Sequence, residues 1–246
     1  MNLSFHGGEI MQKILGLVRA AADDYSMIQN GDRIAIGVSG GKDSLMLLKA
    51  LCELKRFYPA EFTLVAVTLD MRFENTDGDF SGIKELCDSY GIEYFVKRTE
   101  LAEIIFNVRR ESNPCSLCAR MRRGILHDAA KEHGCNKIAL GHHLDDAAET
   151  FMMNLLNEGR IGCFSPVTYL SRKDITMIRP LIYLTEAQIE SAAARLSLPV
   201  IESRCPANEQ TRREDTKALI KALSADYGDV SQKIIGALKR GGLDNW

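Results

Sequence analysis

The sequence predicts an α/β protein: a parallel sheet covered on both faces by helices, continued by a helical C-terminal tail. Three observations predict it. Short β-rich runs alternate with stretches of helical periodicity from Arg33 to Glu158. One of those runs feeds a glycine-rich turn, Ser39-Gly40-Gly41-Lys42-Asp43-Ser44, that opens into a helix. From Thr185 onward the periodicity is helical only.

The elements follow in order. Glu9–Tyr25 carries Ile10, Met11, Ile14, Leu15, Val18, Ala21 and Ala22 at helical spacing, an amphipathic helix expected to pack on the core. A homodimer interface is the other use of such a face. Arg33–Val38 reads as a strand and Asp43–Lys55 as a helix. Phe62–Leu69 is an apolar strand, Ser81–Tyr90 a helix stopped by Gly91, and Glu93–Lys97 a strand. A helical region spans Leu101 to His133, interrupted at Asn113-Pro114. Lys137–Leu140 is a strand and Asp145–Glu158 a helix. The tail holds Thr185–Leu196, Arg213–Tyr227 and Val230–Arg240, the last ended by Gly241-Gly242. The expected division is an N-terminal helix over 1–28, a nucleotide domain over 29–184 and a helical segment over 185–246.

Composition narrows the class. The 246 residues are 46% hydrophobic and 26% charged, enough to bury a sizeable core. The longest unbroken apolar stretches are short, as in Leu64–Val67, and no basic start precedes an apolar core. A spanning helix and an export signal are therefore not expected, and the expected location is the cytoplasm. Seven cysteines in such a chain argue against a disulfide framework and for metal ligands, catalytic thiols or buried reduced thiols.

The turn Ser39–Ser44 joins a strand to a helix N-terminus, which makes an anion site. Glycines let the backbone approach phosphates, exposed N–H groups point at them, Lys42 adds charge, and Ser39 and Ser44 add hydroxyls. A Walker A loop is excluded, because Ile36 stands where its first glycine belongs and Asp43 follows Lys42. Gly37, Gly40 and Gly41 do not supply G-x-G-x-x-G either. A plain turn needs far less than this hexapeptide. The loop resembles the PP-loop of the N-type ATP pyrophosphatases. That resemblance implies a five-stranded parallel sheet of the adenine-nucleotide α-hydrolase type, and cleavage of ATP between its α- and β-phosphates.

A second strand-to-helix turn, Gly141-His142-His143-Leu144-Asp145-Asp146, is expected to face the same crevice. Asp43, Asp145 and Asp146 are hard oxygen ligands suited to Mg²⁺ on ATP phosphates. Helix-start preference alone would also place Asp145 and Asp146 there. Gly141, His142 and Asp146 join the loop as ATP contacts, Asp146 as the Mg²⁺ ligand. Asp70, with Met71, ends a third strand and is a further nucleotide contact or a surface loop residue.

Cys115-Ser116-Leu117-Cys118 starts a helix, and Cys205 lies far along the chain. A lone C-x-x-C suits zinc, a redox dithiol, an iron–sulfur cluster or chance. It follows no first strand, which disfavours a thioredoxin-like pair. A structural zinc lacks a fourth ligand in the sequence. Three thiolates with one open position suit a [4Fe–4S] cluster, and spacing alone leaves the choice open. Cys52, Cys87, Cys135 and Cys163 sit in apolar or turn contexts and are expected to be buried.

Pro114–Leu126, Leu140–Asp146 with Glu149-Thr150, and Arg179–Tyr183 resemble, in that order, blocks of the tRNA 2-thiocytidine synthetases, the TtcA family. The likeness runs from about Asp32 to Arg213. It implies that Cys115, Cys118 and Cys205 hold a [4Fe–4S] cluster and, with Lys42 and Asp43, form the catalytic set. The implied reaction is attack of a cytidine C2 oxygen, at tRNA position 32, on the α-phosphate of ATP, followed by entry of sulfur. The implied partners are tRNA and a sulfur donor, a cysteine desulfurase or sulfide. A uridine or small-molecule enzyme with zinc at the cysteines, or an ATP-binding module without turnover, would share the fold.

Lys plus Arg is 31 against Asp plus Glu 33, a formal charge of −2 that on its own argues against a nucleic-acid partner. Placement argues the reverse. Arg109, Arg110, Arg120, Arg122 and Arg123 flank the C-x-x-C, and Arg212 and Arg213 follow Cys205. If the cysteine segments meet, these arginines converge on one RNA-binding surface. Solvated helix faces are the plainer use of the same residues.

Overall fold

The structure, a computed structural model, describes residues 3–109, 114–206 and 212–246. Strands β1 (Asp32–Gly37), β2 (Phe62–Asp70), β3 (Glu93–Arg98), β4 (Lys137–Ala139), β5 (Val167–Leu170) and β6 (Ile175–Ile178) form one sheet. Their order is β3-β2-β1-β4-β6-β5. All neighbours are parallel except β5 and β6. The expected five-stranded sheet is thus corrected to six strands, five parallel and one antiparallel at the edge. The hairpin escapes sequence reading because each strand has only four residues, too few for a period of two to show. Its turn is closed by Asp174 at φ 46°, a conformation Asp tolerates better than most residues.

The helices are α1 (Leu3–Asp24), α2 (Lys42–Leu54), α3 (Ser81–Tyr90), α4 (Pro114–Glu132), α5 (Leu144–Glu158), α6 (Glu186–Arg195), α7 (Arg212–Tyr227) and α8 (Val230–Gly241). A π-helical stretch, Glu103–Arg109, precedes α4, and Pro114 stands at the first helical position, where its missing N–H costs nothing. Helix α1 begins earlier than its periodicity shows. Its apolar stripe of Met11, Ile14, Val18, Ala21 and Ala22 is buried against α2 and α6, as core packing requires.

Alternate strand residues face opposite ways and build two cores. Ile34, Ile36, Leu64 and Ala66 pack with α2. Ala35, Val65, Val67 and Ile138 pack under Ala129 and Ala130 of α4. Strand order reverses at β1, with β2 on one side and β4 on the other. In open parallel sheets that reversal opens a crevice at the carboxyl ends of the strands.

Beneath the crevice a buried ion pair ties β1 to β4. Lys137 Nζ lies 2.7 Å from Asp32 Oδ2, with the two residues only 7% and 4% exposed. Lys137 also donates to the Met27 carbonyl at 2.9 Å. Lys137→Met leaves the Asp32 carboxylate buried without its cation. It should cost about 3 kcal/mol of stability, read as a lower urea midpoint at unchanged slope.

Candidate active site

The phosphate loop is shaped by its own hydroxyls. Ser44 Oγ donates to the Gly41 carbonyl at 2.9 Å and accepts the Ser39 N–H at 3.1 Å. Ser39 Oγ lies 3.2 Å from Ser44 Oγ and accepts the Gly41 N–H at 3.3 Å. Gly40 turns the chain at φ +89°, where a Cβ would also press to 3.1 Å from Ile201. The Ile201 N–H donates to the Gly40 carbonyl at 2.9 Å, so the segment leading to Cys205 is pinned on the loop. Helix α2 starts at Lys42 with no side-chain cap on Gly41. Its first amides face the crevice as an anion site.

The second turn nests on the first. A Cβ on Gly141 would stand 3.1–3.2 Å from the backbone of Asp43 and Ser44. Backbone on both sides cannot yield. Gly141→Ala should therefore raise the KM for ATP about tenfold, a cost of about 1.4 kcal/mol, with circular dichroism unchanged.

Helix α5 is started by a capping box: Asp146 Oδ2 accepts the His143 N–H at 3.0 Å and His143 Nδ1 accepts the Asp146 N–H at 3.3 Å. The other Asp146 oxygen, Oδ1, faces Arg213, whose Nη1 also lies 3.3 Å from Glu149 Oε2. Asp145 turns elsewhere and accepts the Glu186 N–H at 2.7 Å, holding the start of α6. Lys42 Nζ lies 3.0 Å from Glu186 Oε1 and 3.4 Å from Asp43 Oδ1. Lys217 of α7 also binds Glu186. Two helices of the C-terminal segment therefore reach the phosphate site through charge.

The carboxyls respond to these surroundings. Burial alone would raise Glu186, but hydrogen bonds from Lys217 and Lys42 hold it down to about 2. Burial lifts Glu149 to about 7 against the pull of Arg213. Burial also lifts Asp43, opposed by Lys42 and His143. Asp43 Oδ1 is buried without a hydrogen-bond partner among the described residues. A buried carboxylate oxygen with an ammonium 3.4 Å away but no hydrogen bond, on a residue beside Asp146, fits a divalent cation.

Of these residues Ser39, Gly41, Asp43, Ser44, Gly141 and Asp146 line a cavity of about 620 Å³; Lys42, Glu149, Glu186, Arg213 and Lys217 stand outside its lining. On its β2 side Leu69, Met71, Phe73 and Phe80 make an apolar flank. Asp70 lines it too, but its two oxygens accept the Arg72 and Gly78 N–H groups, each at 3.0 Å. His142 lines the opposite side, its ring 5.1 Å from that of Phe164. Burial brings its pKa down to about 4, so the ring is neutral.

Cys118 and Cys205, far apart in sequence, line this same cavity, and both are half-buried free thiols. Burial raises the Cys118 pKa, Arg122 lowers it, and Cys205 raises it again, so the two thiols lie within electrostatic reach. Cys115 is exposed one helical turn before Cys118. No three His, Cys, Asp or Glu side chains converge as a ready metal site among the described residues. The donor set nevertheless fits a thiolate-bound cluster: three unbridged thiols, two of them already in the cavity. Cys52, Cys87, Cys135 and Cys163 are buried, and burial pushes three of them, Cys52, Cys87 and Cys163, up to about 12.

Of the arginines, Arg109, Arg120, Arg122 and Arg123 are exposed, and Arg122 and Arg123 stand on the cavity wall. Arg110 lies outside the described residues, as does the side chain of Arg212. Arg213 points inward, onto Asp146 and Glu149. Glu186 and Lys217, which reach the phosphate loop through Lys42, escape motif reading; Glu149 stands in a family block that assigns it no role. Glu149 is signalled by its place three residues after Asp146 on one helix face. Glu186 and Lys217 carry no such signal.

A PP-loop domain model matches residues 10–220. The tRNA-cytidine(32) 2-sulfurtransferase of Syntrophotalea carbinolica is 39% identical, covering 93% of this chain and 89% of its own. That of Pelobacter propionicus is 38% identical, covering 93% and 86%. Among solved structures, the U34-tRNA thiolase NcsA from Methanococcus maripaludis, with its [4Fe-4S] cluster, superposes with a TM-score of 0.76 at 26% identity. The match covers 94% of this chain and 78% of that one. A phosphate loop and two distant thiols share one crevice, and the chain belongs to the PP-loop family and, within it, to the tRNA-cytidine(32) 2-sulfurtransferases.

Proposed function

We propose that this chain replaces the C2 oxygen of a tRNA cytidine, at position 32, with sulfur at the expense of ATP. The observation that carries the reading is the joint lining of one cavity by the phosphate loop, Cys118 and Cys205. The nucleotide's phosphates sit at Ser39–Ser44, bound by the amides of the α2 N-terminus and by Lys42. Asp43 and Asp146 would hold Mg²⁺, which would supply positive charge to the phosphates. The apolar flank of Leu69, Met71 and Phe80 receives the adenine.

The cytidine C2 oxygen bonds to the α-phosphorus and pyrophosphate leaves. Lys42 and the loop amides stabilise the charge gathering on that leaving group. A sulfide-level sulfur then bonds to C2, and AMP leaves with the former carbonyl oxygen. No net oxidation or reduction occurs. Cys115, Cys118 and Cys205 would hold a [4Fe–4S] cluster, whose chemistry when bound is to offer an open iron for sulfur. Arg109, Arg110, Arg120, Arg122, Arg123 and Arg212 attract the RNA phosphates, which makes tRNA binding salt-dependent. Arg213 bridges the acidic groups Asp146 and Glu149.

The test is anaerobic reconstitution with iron, sulfide, ATP, Mg²⁺ and tRNA from a strain lacking this activity. Nuclease digestion and mass spectrometry should show 2-thiocytidine, formed only with ATP and accompanied by pyrophosphate. An unchanged nucleoside profile with pyrophosphate still released would point to another acceptor and defeat the reading.

A further inference from the structure

Cys118 and Cys205 reach one cavity from distant parts of the chain, so some element must set the two thiols against each other. The loop after β2 bears on both. Cys118 and Phe73 pack on the same buried group, Met71, Leu101, Ala102 and Ile105. Arg204, the residue before Cys205, docks on that loop from the other segment. Its Nη2 donates to the Phe73 carbonyl at 2.9 Å and to Thr76 Oγ1, gripping the turn Phe73–Asn75 at its first residue and at the one that follows it.

The loop is a firm base for such a contact. Arg72, Glu74 and Asn75 stand at φ 52°, 55° and 54°, left-handed values that persist in such residues only where the surroundings dictate them. The two Asp70 oxygens accept the Arg72 and Gly78 N–H groups and so close the loop across its base. Asp77 joins Arg72 at 3.0 Å and Arg98 at 2.8 Å. None of these bonds involves Arg204.

We propose that Arg204 is a positioning residue for the cluster site: it sets Cys205 against Cys118 by locking the strap 201–205 onto the loop that carries Phe73. This rests on the cluster part of the sulfurtransferase reading above. The strap has one other anchor on the body, the Ile201 N–H on the Gly40 carbonyl. Four residues span up to about 14 Å, so that anchor alone leaves the thiol room to swing. With residue 204 held, Cys205 hangs one residue from a held point, and Ser203 Oγ tightens it further by accepting the Cys205 N–H at 3.3 Å. A guanidinium nitrogen presents its two N–H groups in a rigid plane, so it takes two acceptors in set directions where an ammonium pivots. Direction carries the effect rather than charge: the pair with Glu74, at 3.9 Å and exposed, adds little.

The experiment reads the thiol pair directly. In apo protein with Cys115→Ser, Cys118 and Cys205 are the thiols outside the buried four. Phenylarsine oxide bridges two thiols that can approach one arsenic: two As–S bonds form, and the oxide oxygen leaves as water with both thiol protons. Arg204→Ala should weaken that bridging about tenfold, the low end for losing a group that orients metal ligands, with Arg204→Lys between it and wild type. Thr76→Val should act the same way by a smaller factor, and should cost nothing further once Arg204→Ala is present. With Cys115 restored and after anaerobic reconstitution with iron and sulfide, Arg204→Ala should lose iron to a chelator about tenfold faster than wild type. ATP affinity should stay within about twofold, because Asp70 closes the loop without Arg204. Unchanged arsenic bridging in Arg204→Ala, or a loss confined to tRNA affinity, overturns the assignment. So does a Cys115→Ser protein whose two thiols do not bridge arsenic at all. Wild-type protein that takes up no iron overturns the cluster reading instead, with Arg204 still judged by the arsenic.

Discussion

Cys118→Ser should abolish 2-thiocytidine formation while ATP binding stays within about twofold of wild type. Cys118 lies inside the cavity, and the nearest argument for its role is electrostatic. Its thiol is half-buried, shares the space with Cys205, and is driven upward in pKa by burial against the pull of Arg122. A thiol so placed gives up its proton readily only to a bound metal, which supplies the missing positive charge. Serine keeps the size but replaces soft sulfur by hard oxygen, a poor ligand for iron–sulfur chemistry. The phosphate loop, built from Ser39, Gly41 and Ser44 bonding one another, does not depend on that thiol. Three measurements separate the cases: iron per chain in protein purified without oxygen, ATP affinity by calorimetry, and 2-thiocytidine by mass spectrometry. Iron and 2-thiocytidine should fall together. Normal thiolation by an iron-free Cys118→Ser protein would sink the cluster role.

The same site shows which parts of a structure a sequence can disclose. The phosphate loop is legible because all its parts are local: strand, glycines, lysine and helix start lie within a dozen residues. Asp146 is legible for the same reason, as the third residue of a helix that begins at a strand end. The hairpin Val167–Ile178 is not, because two four-residue strands hold too little periodicity. Long-range charge is the other blind spot. Lys42 and Glu186 are 144 residues apart, and nothing near either names the other. Arg213 teaches a related lesson. Its neighbourhood in the chain groups it with the arginines expected to meet RNA, yet its guanidinium lies against Asp146 and Glu149. Proximity in sequence places a residue near a site without fixing the direction of its side chain.

Lys42→Ala should slow tRNA-dependent pyrophosphate release by about 10²- to 10³-fold, with a smaller rise in KM for ATP. The split follows from where charge develops. In the ground state the α2 amides already share the phosphate charge, so losing one ammonium weakens binding modestly. In the transition state the bond to the α-phosphorus breaks and negative charge moves onto the departing pyrophosphate. A half-buried ammonium there acts in a medium of lower dielectric than water, and its loss falls on kcat. Lys42 lies 3.0 Å from Glu186, which Lys217 also holds. ATP must therefore draw Lys42 away from Glu186, and Lys217 keeps that carboxylate compensated when it does. Two consequences distinguish this account from simple loss of structure. Lys42→Ala should unfold at nearly the wild-type temperature, because Glu186 retains a cation. Glu186→Gln should bind ATP at least as well as wild type, because it releases Lys42 to the phosphates. Unchanged kcat in Lys42→Ala, or weaker ATP binding in Glu186→Gln, would remove Lys42 from the chemistry and leave it a structural partner of α6.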